Sequence, residues 1–280
     1  MVQNKTQHVA PLKMEVMDCS PLVVDDGFEV ANKDLLASWI AELCLGNYLH
    51  LREVIEQLNP DIPISENEAI DAVIELLEVP SDNKTLVERR DGWLFQMMSW
   101  IALNLDLHHK FKPEQFEMAP PHTKPGQHGL DGIAVVLDDD MNIDRIIITE
   151  DKCSTWPENI IKNQVFPEYD SFEKRKLDNR IKTGVTALII PIGGRQVAIK
   201  LNNDIARLDY RRYRVGITRK EEHESLEGRK KLYTGYDSHV KGNVERRMAA
   251  SVFLPDLRNW MSDLSNKVVK VLNSKKTGNV

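Results

Sequence analysis

Cysteine is scarce in this sequence, which has 3 among its 280 residues: Cys19, Cys44 and Cys153. An odd number of widely spaced cysteines argues against a disulfide framework and against a cysteine-rich zinc cluster, and it fits a reducing compartment. Long apolar runs are lacking as well, since none approaches the roughly 18 residues that a membrane helix needs. The first residues contain no apolar signal segment. We therefore expect a soluble, cytoplasmic protein without membrane contact.

Basic residues are rare at the front of the chain and frequent at the back. Residues 1–80 hold 4 Lys or Arg and 15 Asp or Glu, whereas residues 155–280 hold 25 and 15. A local basic surface is sufficient to bind a polyanion, even in a chain whose net charge is −6. Attraction between the two ends, or plain solvation of charged faces, accounts for the asymmetry equally well. The charge pattern permits nucleic-acid binding without requiring it.

The hydrophobic pattern divides the chain near residue 80. Residues 1–80 should form an acidic, mainly helical N-terminal region, with a short strand or two before Lys33. Ser65 and Glu68 form a capping-box pattern at the start of one of its helices. Residues 81–280 should form a second domain that ends in a helical tail.

Helical and strand patterns alternate in residues 81–280. A long buried helix is expected over residues 84–105, followed after a loop by two apolar strands, "DGIAVVLD" and "DRIIITEDK", which the acidic turn "DDMN" joins. After a helix, two further strands are expected at "GVTALIIPI" and "DYRRYRVGITR". Residues 243–273 should form one or two amphipathic helices. This alternation predicts an α/β fold.

Two carboxylates and a lysine stand at the ends of the first two of these strands. Asp131 begins the first strand, and Glu150 and Lys152 end the second. Alternate residues of a strand share a face, so Glu150 and Lys152 should point the same way. If the two strands pair as a hairpin, Asp131 comes close to Glu150.

The chemistry of this trio suits a metal ion and a phosphate. Adjacent carboxylates repel each other unless a cation lies between them, and Mg²⁺ prefers oxygen ligands while leaving room for phosphate and water. Mn²⁺ can substitute for it. A lysine beside the ion can orient water or stabilise the charge that develops on a phosphate, which suits phosphodiester hydrolysis. The alternative is a charged strand end with a surface Lys–Glu pair, which contributes little to stability.

The order of these residues resembles the signature of the PD-(D/E)XK, or restriction endonuclease-like, nuclease superfamily. Asp131 is followed by a strand, a turn and a second strand that ends in Glu150-Asp151-Lys152. The resemblance covers residues 84–217, although Leu130 stands where the family pattern has proline. It implies a mixed sheet flanked by helices and Mg²⁺-dependent cleavage of DNA. It further implies that Asp131 and Glu150 are the metal ligands and that Lys152 is the catalytic lysine.

Two more residues are accessory candidates within the resemblance. Some members of the superfamily place an acid on the helix before the strands, and Glu88 occupies such a position here. Gln164 resembles the Gln of the Gln-X-X-X-Tyr element in RecB-like members, although Tyr169 lies one residue too far away. For Glu88 the alternative is a surface charge near a helix start.

Basic residues in two segments could bind the phosphate backbone of DNA. Such contacts give affinity and salt dependence but little sequence specificity, and a solvated face is the alternative for each residue. The first segment contains Lys174, Arg175, Lys176 and Arg180, and the second contains Arg211, Arg212, Arg214, Arg219 and Lys220.

Within the superfamily, the overall architecture resembles the nuclease subunits of bacterial anti-phage systems, Hachiman-type systems above all. That resemblance implies a helicase or ATPase partner subunit, because the chain has no Walker motif of its own. Two alternatives stay open. The chain could be a non-catalytic module that binds nucleic acid or protein, or a stand-alone restriction endonuclease, although it resembles no dedicated base-reading module.

Overall fold

A seven-stranded mixed sheet organises this computed structural model, which describes residues 10–58 and 65–276, with the backbone alone over residues 47–58. The spatial order is β1-β2-β7-β6-β5-β4-β3. The centre, from β2 to β5, is parallel, and both ends are antiparallel. The strands are β1 (Leu12–Cys19), β2 (Val23–Val30), β3 (Phe116–Met118), β4 (Gly132–Leu137), β5 (Ile143–Lys152), β6 (Arg211–Arg219) and β7 (Arg247–Phe253).

Helices cover both faces of this sheet. One face carries α1, α2, α3 and α9, and the other carries the helices between β5 and β7. The predicted α/β fold, a mixed sheet flanked by helices, is confirmed. The helices are α1 (Lys33–Leu58), α2 (Glu66–Leu77), α3 (Lys84–Lys110), α4 (Pro157–Ile160), a π-helical segment (Ile161–Val165), α5 (Phe166–Glu173), α6 (Asp178–Leu201), α7 (Leu226–Leu232), α8 (Tyr236–His239) and α9 (Leu257–Lys276).

The first 80 residues contribute to the same sheet as the rest of the chain. β1 and β2 form an antiparallel hairpin, and β2 pairs in parallel with β7, with Val24 opposite Met248. The expected strands before Lys33 are therefore present. The capping box of Ser65 and Glu68 is confirmed at the start of α2. The domain boundary at residue 80 stays a prediction.

Two segments adopt the opposite structure to the one that their sequences suggest. The apolar run "GVTALIIPI" lies inside α6, where Ile181, Val185 and Ile189 are buried at helical spacing. A short apolar run fits a strand and a buried helix equally well, so periodicity cannot separate them. Conversely, the first part of the segment 243–273, where one or two helices were expected, contains β7, which is covered on both edges by β2 and β6. From Leu257 onward that segment is helical as expected and belongs to α9.

Helix α6 has the length and the apolar composition of a membrane span, which the sequence analysis did not anticipate. It contains Pro191 and a non-helical residue, Gly194, whose φ is 74°. Its buried residues join the core cluster between this helix layer and the sheet. In its most apolar window of 18 residues, 28% of the residues are buried. A single helix of this composition is weak evidence for a membrane span, and the fold is consistent with a soluble protein.

Candidate active site

The register of β4 and β5 brings the two carboxylates and the lysine together. Gly132 of β4 lies opposite Thr149 of β5, so Asp131 lies beside the last residues of β5. The backbone N–H of Asp151 donates to Oδ2 of Asp131 over 2.9 Å. Lys152 Nζ lies 3.5 Å from the same oxygen and also donates to Oε1 of Glu150. Asp131, Glu150 and Lys152 therefore form one contiguous cluster.

Two glycines allow the strands to approach closely at this cluster. A Cβ on Gly132 would collide with the Thr149 hydroxyl, and a Cβ on Gly216 of β6 would collide with the Asp151 carboxylate. Gly216 is the residue directly opposite Asp151 in the parallel pairing of β5 with β6. The site thus depends on the absence of side chains at both neighbouring strand positions.

The Asp151 side chain lies on the opposite face of β5 from the trio, where it is buried against α3. Its Oδ1 accepts a hydrogen bond of 2.5 Å from Ser99, whose hydroxyl in turn accepts one of 2.8 Å from Arg214. Burial raises the pKa of Asp151 to about 7, and the Arg214 guanidinium opposes this rise. These bonds hold the end of β5 against α3, so Asp151 positions the site through its side chain.

The electrostatics of the trio are those of two carboxylates that share one cation. Burial raises the pKa of Glu150, and the charge of Asp131 raises it further. Burial works to lower the pKa of Lys152, but the carboxylates of Glu150 and Asp131 outweigh it, so the net shift is upward. Lys152 is therefore a firmly protonated ammonium group between two acids.

The oxygen ligands at the cluster fit a hard divalent cation. Asp131 and Glu150 offer carboxylate oxygens, and the ammonium of Lys152 shows that a positive charge is accommodated between them. The raised pKa of Glu150 indicates negative charge that burial leaves poorly compensated. Mg²⁺ is commonly held by one or two carboxylates together with water and phosphate, which this set of ligands allows.

A cavity of about 440 Å³ opens onto the cluster. Asp131 and Lys152 line it, while Glu150 is buried against Lys152. Both accessory candidates, Glu88 on α3 and Gln164 in the π-helical segment, also line it. Glu88 Oε1 lies 3.6 Å from Arg258 of α9. The structure thus places Asp131, Lys152 and both accessory candidates around one opening, with Glu150 buried behind Lys152.

Gln96 is a site residue that the sequence reasoning missed. Its Nε2 donates to the backbone carbonyl of Asp131 over 2.5 Å, and its side chain is buried on α3. Gln96 and Ser99 interrupt the apolar run "WLFQMMSWIA", and polar residues on the buried face of a helix require partners. These two polar residues within an apolar run were the sequence signal that could have identified Gln96 as a site residue.

The basic residues fall into two groups. Lys174, Arg175, Lys176 and Arg180 are exposed, and the first three lie in a turn after α5 that breaks the expected helix, with Arg175 at a φ of 61°. The phosphate contacts expected of Arg211, Arg214 and Arg219 are wrong, because these side chains are buried on β6. Arg211 binds the carbonyl of Phe172 and the carboxylate of Asp178, and Arg219 binds Glu15 and Glu224.

A second group of potential ligands, Glu158, Glu222 and His223, lies close together in the described part of the chain. The backbone N–H of Lys220 donates to Nδ1 of His223 over 3.1 Å. The proton of a neutral ring is then on Nε2, which lies 3.1 Å from Oε1 of Glu158. A protonated nitrogen cannot ligate a metal, so this group is a hydrogen-bonded His–Glu pair.

No protein-family model, curated protein or solved structure matches this chain.

Proposed function

We propose that this chain is a Mg²⁺-dependent nuclease that hydrolyses phosphodiester bonds of DNA. The observation that carries the proposal is the convergence of Asp131, Glu150 and Lys152 in one cluster, of which Asp131 and Lys152 line a cavity. The acids come from two paired strands and the lysine from the end of the second. This arrangement agrees with the roles that the resemblance to the PD-(D/E)XK superfamily implies.

Each residue of the trio has a distinct part in the proposed reaction. Asp131 and Glu150 would hold the cation, and the Asp151 carbonyl could supply a further oxygen. Mg²⁺ held there would supply an activated water and neutralise phosphate charge. Lys152 stays protonated, so it acts as a hydrogen-bond donor to the attacking water or to a phosphate oxygen. Lys152 already lines the cavity, so its ammonium group can reach a phosphate there.

Cleavage assays on plasmid and linear DNA test the proposal. Wild-type protein is compared in Mg²⁺, Mn²⁺ and EDTA with Asp131→Ala, Glu150→Ala and Lys152→Ala. Asp140→Asn is the matched control, because this exposed acid lies in the turn at the far end of the same strand pair. We expect metal-dependent cutting that all three site variants lose and the control retains. Cutting that persists in the site variants would refute the assignment.

The second candidate function is a binding module without catalysis. The observation in its favour is that Lys152 already forms ion pairs with both acids, which a structural ion-pair cluster would also show. Such a module would shift DNA in EDTA and in Mg²⁺ alike without cutting it. The three site variants would then be less stable and otherwise unchanged in DNA binding.

The biological setting is proposed on the resemblance alone. A cytoplasmic role in anti-phage defence, beside a helicase or ATPase partner, would give the nuclease a motor. The acidic region of residues 1–80 is the proposed docking surface. Co-purification of the chain with the product of a neighbouring gene that carries a Walker motif, and ATP-dependent DNA degradation by the pair, would support this setting. Full activity of the chain alone would argue against it.

A further inference from the structure

One large aromatic ring stands open to solvent at the edge of the cavity. Trp156 is 67% exposed, more than any other large apolar side chain in the described part of the chain. It lines the cavity that also contains Asp131 and Lys152. Single exposed apolar residues are common on protein surfaces, so exposure alone assigns no function to this ring. The residues around it carry the information.

The backbone that carries Trp156 is fixed to the sheet. Ser154 N donates to Oγ1 of Thr218 on β6 over 2.9 Å, and the same hydroxyl donates to the Ser154 carbonyl over 2.8 Å. Trp156 N donates to Oγ of Ser154 over 2.9 Å, and Pro157 begins α4 directly afterwards. The ring is therefore presented from a rigid segment, four residues after Lys152.

Cations surround the ring and the cavity mouth. Lys220 Nζ lies 4.8 Å from the centroid of the Trp156 ring. Lys220 also pairs with Glu222 over 3.4 Å, and two further cations, Arg89 and Lys124, line the cavity. Cations near an exposed aromatic ring are the combination with which proteins bind the backbone and the bases of single strands.

We infer that Trp156 is a stacking platform for an unpaired base, so that the site takes single-stranded DNA. The inference rests on the proposed function, which it deepens by naming the substrate class. Bases inside a duplex already stack on neighbours on both sides and cannot offer a face to the ring, whereas an unpaired base can. The cavity volume lies within the roughly 300–1,000 Å³ range of sites for small ligands, which suits a nucleotide at the trio.

Binding measurements in EDTA isolate this inference from catalysis. Fluorescence anisotropy with a labelled single-stranded oligodeoxythymidylate and with a blunt duplex compares wild type, Trp156→Ala and Trp156→Phe. Trp39→Ala is the matched control, because Trp39 is a partly exposed tryptophan that lies in a different surface groove on α1. Melting temperatures verify that all variants fold.

We expect Trp156→Ala to weaken single-strand binding at least about fivefold, since stacking contributes on the order of 1–3 kcal/mol per base. Trp156→Phe should restore most of the affinity, and duplex binding and Trp39→Ala should stay near wild type. Equal losses on both substrates, or no loss on the single strand, would overturn the inference. An oligouridylate arm separates DNA from RNA, and a stronger Trp156 effect on RNA would overturn the choice of DNA.

The two proposals fail in different ways. If the protein cuts DNA with metal while Trp156→Ala binds single strands normally, the stacking platform is wrong and the nuclease stands. If no DNA is cut in any metal but Trp156→Ala loses single-strand affinity, the platform stands on a binding module and the nuclease is wrong.

Discussion

The backbone N–H of Asp151 donates to Oδ2 of Asp131 over 2.9 Å, and this bond joins the start of β4 to the end of β5. The same oxygen lies 3.5 Å from Lys152 Nζ. The Asp131 carboxylate thus has two roles. It accepts the hydrogen bond that holds the two strand ends together, and it places a negative charge at the cavity. Different substitutions can separate these two roles.

Asp131→Asn should lower DNA cleavage at least about 100-fold, which is the typical loss when one group that stabilises the transition state is removed. The amide keeps an acceptor oxygen and no longer repels Glu150, so the melting temperature should hold or rise. Asp131→Ala should lose cleavage and also about 1–3 kcal/mol of stability, because the Asp151 N–H loses its partner. Equal melting temperatures for the two variants would contradict the structural role.

Lys152→Ala should separate metal binding from cleavage. The ammonium group occupies the space between the acids, so its removal eliminates a competing cation and should tighten Mg²⁺ binding. Cleavage should fall about 100- to 1,000-fold, because a charge-stabilising donor is lost. Calorimetric titration with Mg²⁺ and a cleavage assay measure the two effects. Lys162→Ala, at an exposed lysine of the π-helical segment, should change neither; weaker Mg²⁺ binding by Lys152→Ala would contradict the prediction.

The stability of the metal-free protein should fall as pH rises. Burial raises the pKa of Glu150, with Asp131 adding to the effect, and burial raises the pKa of Asp151 to about 7. A carboxyl group with a raised pKa in the folded state contributes stability that is complete below its unfolded pKa, near about 4. That contribution is lost as pH rises through the folded pKa.

Under the proposed function, Mg²⁺ would compensate the ionised Glu150, so the increase in melting temperature on adding Mg²⁺ should be larger at pH 8.5 than at pH 6. Melting curves across this range in EDTA and in Mg²⁺ measure the difference. In Glu150→Gln the increase should be small at both pH values. An increase that does not depend on pH in the wild type would show that Glu150 is not a ligand.

Gly216→Ala should destabilise the protein by about 1–3 kcal/mol, the usual cost of inserting a group into a packed core. The added methyl would meet the Asp151 carboxylate, so cleavage should fall as well. Gly46→Ala is the matched control, because a Cβ there meets no atom within 4 Å and the helix α1 gains an alanine. That control should raise the free energy of unfolding by roughly 0.5–1 kcal/mol. Denaturant unfolding measures both changes and shows whether each variant is more or less stable than the wild type.

The exposed basic residues after α5 should contribute to DNA affinity through phosphate contacts. Replacement of Lys174, Arg175, Lys176 and Arg180 by Gln should weaken binding to every sequence. It should also reduce the slope of log K against log salt by about 3, since each phosphate contact contributes roughly 0.7–0.9. Lys241→Gln, at an exposed lysine elsewhere, is the control. An unchanged salt slope would show that this face is only solvated.

The site cluster could be predicted from the sequence because its residues lie close together along the chain. A period of two residues places Glu150 and Lys152 on one face, and a short turn sets the register that brings Asp131 beside them. The burial of the arginines of β6 could not be predicted in this way. Their burial depends on partners far away in sequence, such as Glu15 for Arg219, so composition alone made them resemble a phosphate-binding strip.

The misassigned elements have a related cause. "GVTALIIPI" and "RMAASVF" are short apolar segments whose local preferences do not separate helix from strand. The first became a helix because its buried side chains meet the sheet at helical spacing. The second became a strand because β2 and β6 offered edges on both of its sides. Tertiary pairing decided both outcomes.

The place of β7 in the sheet has a consequence for how the protein is made. β7 lies between β2 and β6, although residues 247–253 come more than 200 residues after β2. Until residues 247–253 leave the ribosome, no strand can join the N-terminal hairpin to the strands that carry the trio. Contacts of such long sequence separation form slowly. The growing chain therefore cannot complete its sheet until translation has passed β7, although the β4–β5 pair that carries the trio is synthesised about 100 residues earlier.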